Sequence, residues 1–146
     1  MFDLGLLRHF IGLDVSQKTL GIMISQSRYS SYMLKRFHME DYKESPCPFL
    51  LGIRLEEGGS TPLVDNNLYK QLIGSLLYHT HSRLDIAYAV SAAARYMQEP
   101  HELHWKETKM ILHYVQGAIY YGIHYAAGGQ LDLKRIYRLR LGRIWK

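Results

Sequence analysis

Lys70, Gly74 and Tyr78 recur every four residues, which on a helix sets them along one face. A lysine can meet a phosphate, a glycine lets the backbone come close, and a tyrosine ring can rest on a sugar. A face of that kind suits the minor groove of a nucleic-acid duplex. The same residues also fit a core role, with Gly74 admitting a neighbouring helix and Tyr78 packed beside it. On the residues alone both readings stay open.

Two histidine pairs, His79-x-His81 and His101-x-x-His104, are the candidates for metal chemistry. A zinc site needs three or four ligands with fixed partners behind them, and a catalytic site usually adds a carboxylate. Glu102 lies between His101 and His104 but points elsewhere, and there is no H-E-x-x-H. No metal and no cofactor are therefore expected. Phosphoryl transfer would need clustered carboxylates holding two metal ions, and the chain contains no Asp-Asp pair.

Hydrophobic periodicity gives the elements that must position these residues. Leu6–Val15 and Thr19–Ser25 read as two strands joined by a polar turn at Ser16–Lys18. Ser25 is placed to cap a helix through Phe37, with Tyr29, Met33, Leu34 and Phe37 on one face. Residues 38–64 are polar and Pro/Gly-rich, a long connection. Asp65 is a good N-cap for a helix from Asn66 to about Thr80, with an apolar stripe of Leu68, Leu72, Ile73, Leu76 and Leu77. After a break at His81–Arg83, an Ala-rich helix is expected over Asp85–Gln98, ended by Pro100. A further helix runs from Glu102 to Gln116, with Gly117 placed to terminate it, and Tyr121–Ala126 reads as a strand. The expected fold is α+β and mainly α: an N-terminal antiparallel β-hairpin, a connecting helix, then a three-helix bundle.

At 146 residues, 47% hydrophobic and 21% charged, the chain is at most one ordinary globular domain. It has no apolar run long enough for a membrane helix, and its N-terminus lacks a signal pattern, so an intracellular setting is expected. One cysteine excludes an internal disulfide framework. The net charge of +5 is local: residues 1–133 hold 12 basic and 13 acidic side chains, whereas the last thirteen hold six basic and none acidic. Lys134, Arg135, Arg138, Arg140 and Arg143 in that tail can attract nucleic acid without sequence preference, or form a solvated end.

The stretch YKQLIGSLLYHTHSRLDIAYAVSAAARYMQEPHELHWKETKMILHYVQGAIYYGIHY, residues 69–125, carries four ordered blocks. They resemble Y-x-x-[LI]-[IV]-G-S-L-[ML]-Y, R-P-D-I-x-Y-A-V, P-x-x-x-H-W and Y-G-[IL]-x-Y of copia-type retrotransposon Pol polyproteins, in the C-terminal part of the reverse transcriptase. The earlier run Asp3-Leu4-Gly5 with Phe10–Val15 is similar to the family's D-L-G-x-L-x-x-F-L-G-I-E. The resemblance covers about residues 2–126 and implies a primer-grip hairpin, in which Phe10, Ile11 and Gly12 would touch the primer's terminal phosphate. It also likens the helix after Asp65 to the thumb helix that lies in the duplex groove.

On that resemblance the segments are 1–64, a primer-grip-like hairpin, helix and loop; 65–126, a thumb-like bundle entering a lost ribonuclease H domain; and 127–146, a divergent basic tail. The family's Y-V-D-D turn and its ribonuclease H aspartates are not in the chain. Leu84 replaces the family's proline, Leu7 an acid, and Ser45–Leu50 departs from the loop pattern. The resemblance implies a truncated, catalytically inactive reverse-transcriptase remnant. Its partners would be an RNA–DNA or DNA duplex, bound weakly and salt-dependently, and the missing palm region. The alternative is a helical interaction module or the inert product of a decayed element.

Overall fold

A computed structural model describes residues 6–48 and 61–128. Its elements in chain order are β1 (His9–Phe10), β2 (Leu13–Lys18), β3 (Gly21–Ser25), α1 (Ser27–Arg36), α2 (Asn66–His79), a 3₁₀ turn (Leu84–Ile86), α3 (Ala87–Ala94), α4 (Glu102–Gly117) and β4 (Gly122–Ala126). Among the described residues the fold is mixed α+β: four antiparallel strands in the order β1-β2-β3-β4 beside four α-helices.

The strands differ from the expected hairpin in two ways. Ser16, Gln17 and Lys18 belong to β2, and the turn falls at Thr19–Leu20, because Lys18 pairs with Gly21 and Asp14 with Ser25. A second tight turn, Ile11–Gly12, separates β1 from β2, so Gly12 lies in a turn and not in a strand. β4 then returns from the far end of the chain to pair with β3, Ile24 opposite Ile123. Gly21 makes that possible, since a Cβ there would collide with the Tyr125 carbonyl.

Helix starts follow local chemistry. Asp65 caps α2 as expected, its Oδ1 accepting from the Asn67 and Leu68 amides at 2.8 and 3.4 Å, a contribution of about 1 kcal/mol. Ser25 does not cap α1. The helix begins two residues later, and the Asp14 carboxylate of β2 caps it from outside, accepting from the Ser27 hydroxyl at 3.0 Å and the Arg28 amide at 3.4 Å. The Asp85–Gln98 helix is shorter than expected. It opens with the 3₁₀ turn and closes at Ala94, after which Tyr96 and Met97 bond three residues back instead of four. The Tyr96 ring leaves the helix to stack on His104, 3.9 Å between centroids.

The core is helical. Met33 and Leu34 of α1, Met39 beyond it, Tyr69, Leu72, Ile73 and Leu76 of α2, Ile86, and Ala89, Val90 and Ala93 of α3 pack with Ile111, Leu112 and Val115 of α4. Leu68 and Leu77, expected in that stripe, are exposed instead, because the buried arc of α2 is narrower than the apolar one. Among the described residues no strand side chain joins the cluster, so polar contacts tie the sheet to the helices. No helix among the described residues is long and apolar enough to cross a membrane.

Candidate nucleic-acid interface

The β1–β2 turn has two consecutive residues with positive φ, Ile11 at 46° and Gly12 at 72°. Two-residue hairpin turns favour that geometry because it matches strand twist. Glycine adopts it freely, but a β-branched residue such as Ile11 does so only where its surroundings hold it. The hold comes from α2: the Tyr78 hydroxyl donates to the Ile11 carbonyl. Contact is close enough that a Cβ on Gly12 would strike the Tyr78 oxygen.

Tyr78 is itself braced. Its ring meets Tyr29 of α1 edge-on, 4.8 Å between centroids at 70°, and the Tyr29 hydroxyl donates to the Ser75 carbonyl at 3.0 Å. Burial raises the Tyr29 phenol above its ordinary pKa, so it stays a donor at neutral pH. One residue on, His79 is fully buried, its ring nitrogens 3.0 Å from Gln26 Oε1 and 3.2 Å from Ser30 Oγ. Burial, reinforced by the Arg83 charge and opposed by Asp85, pushes its pKa down to about 3. His79 is therefore a neutral hydrogen-bonding core residue.

On the outer face of α2, Lys70 and Gly74 are exposed, and no atom lies within 4 Å of a Cβ built at Gly74. Gly74 is not a helix-packing glycine. Tyr78, expected on the same open face, is half-buried with its hydroxyl committed to the turn. Leu77 takes the solvent-facing place beside Gly74. Thus Ile11 and Gly12 are brought against Tyr78 and Phe10 beside them is exposed, while Lys70 lies about 12 Å away along the helix axis. Lys134, Arg135, Arg138, Arg140 and Arg143 lie outside the described residues.

The other candidate ligands, His81, His101 and His104, have structural partners. His101 Nδ1 lies 2.6 Å from the Thr61 carbonyl, and the His101 amide donates to His104 Nδ1 at 3.0 Å, a reciprocal cap at the start of α4. Burial and the neighbouring His101 lower the His104 pKa. His81 Nδ1 contacts the Tyr78 carbonyl at 2.8 Å. No group of three or more His, Cys, Asp or Glu side chains among the described residues converges as a metal site.

One residue missed by sequence reasoning organises the far end. Arg83 is completely buried at the break between α2 and α3. Its guanidinium donates twice to Asp85, at 2.9 and 2.8 Å, and once to the Ala118 carbonyl beyond α4, at 2.7 Å. It also lies 5.1 Å from the Tyr121 ring centroid and 5.6 Å from that of Tyr114. Burial pushes the Asp85 carboxyl up, but the Arg83 bonds and charge, with the Tyr114 hydroxyl, outweigh it and hold the group below its usual range. Burial and that same Asp85 contact push Tyr114 up to about 12. The sequence signals were an Arg two residues before an Asp at a predicted break and its place in the block that resembles R-P-D-I-x-Y-A-V.

The chain is 32% identical over 127 residues to the retrovirus-related Pol polyprotein from transposon RE2 of Arabidopsis thaliana, which covers 87% of this chain and 9% of that protein. It is 30% identical over 129 residues to the retrovirus-related Pol polyprotein from transposon TNT 1-94 of Nicotiana tabacum, covering 80% of this chain and 10% of the relative. An uncharacterized mitochondrial protein of Arabidopsis thaliana is 30% identical over 135 residues, 92% of this chain and 55% of its own length. No family model and no solved structure matches. Over most of its length the chain is homologous to a segment of the retrovirus-related Pol polyproteins of copia-type transposons. It spans about a tenth of the Pol relatives it matches.

Proposed function

We propose that this segment of Pol holds a nucleic-acid duplex and does not itself catalyse synthesis. The Ile11–Gly12 turn meets the primer end, and the Lys70–Gly74 face of α2 follows the groove. The Tyr78–Ile11 hydrogen bond carries this reading, because it joins two regions with separate sequence signals for duplex contact. Phe10, Ile11, Lys70 and Gly74 are all exposed, as duplex contact requires. The duplex is RNA–DNA or DNA, bound weakly, and the basic tail supplies most of the salt-dependent attraction.

A second partner has its own support. Leu6 and Leu7 before β1, and Phe10 and Ile11 at its turn, are exposed apolar side chains. That favours burial against protein, namely the palm region of a related Pol.

Two measurements on the full chain test the proposal. Primer extension on a primed RNA template with magnesium or manganese should give no incorporation above a protein-free control. Gly74→Leu should weaken duplex binding without lowering the melting temperature, since the new side chain meets solvent and not core. Unchanged duplex affinity would reject the α2 face. Deleting residues 134–146 should flatten the salt dependence of what remains.

A further inference from the structure

A cleft of about 790 Å³ opens beside the sheet, between the lead-in to β1, strand β2 and the first turn of α1. It is separate from the α2 face and lies on the stem side of the β1–β2 turn. Its rim carries three cations, Arg8, Lys18 and Arg28, against one carboxylate, Asp14. That carboxylate is already engaged: it contacts His9 at 3.0 Å, Arg28 at 3.5 Å and the Ser27 hydroxyl at 3.0 Å. Tyr120, 54% exposed, stands in the lining, which also includes the apolar Leu7 and Met23.

Cations along a groove with an exposed ring and apolar ground make a pairing suited to an unpaired polynucleotide. The backbone is neutralised by the basic side chains, and a base stacks on the aromatic. A duplex hides its bases and gains nothing from Tyr120. We propose that this cleft binds single-stranded nucleic acid, taking the unpaired continuation of a strand whose paired part lies at the turn and α2. The inference rests on the reading of this chain as a nucleic-acid-holding segment, but it uses different residues.

The test is fluorescence anisotropy of the full chain with a labelled polythymidylate of about 16 nucleotides and a blunt duplex of the same length. Tyr120→Ala should lower single-strand affinity about tenfold and leave duplex affinity unchanged. Tyr120→Phe, which keeps the stacking face, should retain wild-type affinity. The pair Arg8→Glu with Lys18→Glu should weaken single-strand binding and reduce its salt dependence. Equal losses for both probes, or single-strand affinity insensitive to Tyr120→Ala, would overturn the cleft. Single-strand binding lost in Tyr120→Ala with no duplex binding by the wild type would support the cleft and reject the α2 reading. Duplex binding weakened by Gly74→Leu beside a Tyr120-insensitive single-strand arm does the reverse.

Discussion

The Tyr78 hydroxyl on the last turn of α2 donates to the Ile11 carbonyl at the tip of the β1–β2 turn, across 67 residues of sequence. This bond fixes a β-branched residue at φ 46° and anchors a sheet that shares no core with the helices. Its position assigns Tyr78 a task different from resting on a sugar. The ring braces the turn, and the turn offers Phe10 and Ile11 to solvent.

Tyr78→Phe keeps the ring against Tyr29 and removes only the hydroxyl. The expected cost is about 1 kcal/mol, as for one hydrogen bond of ordinary strength. Amide exchange at Gly12 and Leu13 should accelerate more than exchange in α4. Uniform change across the protein would mean that the bond does not hold the turn.

Gly74 lies mid-helix with open space around it. Gly74→Ala should therefore stabilise the protein by about 0.5–1 kcal/mol, through reduced chain entropy and better helix propensity. Chemical denaturation measures this directly. A destabilised variant would show that the site is crowded after all.

Removing Arg83 should be among the costliest single changes. Arg83→Met leaves Asp85 without its cation and the Ala118 carbonyl without its donor, costing about 3–5 kcal/mol. Arg83→Lys keeps the charge but not the three-way fork, and should recover only part of the loss. Urea midpoints equal to wild type for both variants would contradict the assigned role.

His79 makes stability pH-dependent. Its folded pKa of about 3 lies below the ordinary value near 6.5, so the unfolded chain binds the extra proton between those limits. Stability is full above about pH 6.5 and falls as pH drops towards 3, by on the order of 5 kcal/mol from this group. The depressed Asp85 adds to the loss at the acid end, since its stabilisation is present above the ordinary carboxylate pKa and lost below it. Denaturation midpoints that stay flat from pH 7 to pH 4 would refute the buried neutral imidazole.

Local sequence determined a good deal of this protein. Asp65 followed by an apolar period placed α2 within a residue, and Pro100 with Trp105, Ile111, Leu112 and Val115 placed α4. Caps, proline breaks and periodicity act over a few residues, so they are legible along the chain. The ordered blocks of residues 69–125 likewise pointed to a retrotransposon Pol origin, which the related Pol polyproteins support. Tertiary structure alone decided three things: that β4 closes the N-terminal sheet, that Tyr78 grips Ile11, and that Arg83 is buried against Ala118. Each is a contact between residues far apart in sequence, and periodicity reports which face of a helix is apolar but not what will lie against it. Tyr78 and Gly74 share a predicted face, yet the β1–β2 turn happens to reach only the first of them. That is why one became a strut and the other stayed open to solvent.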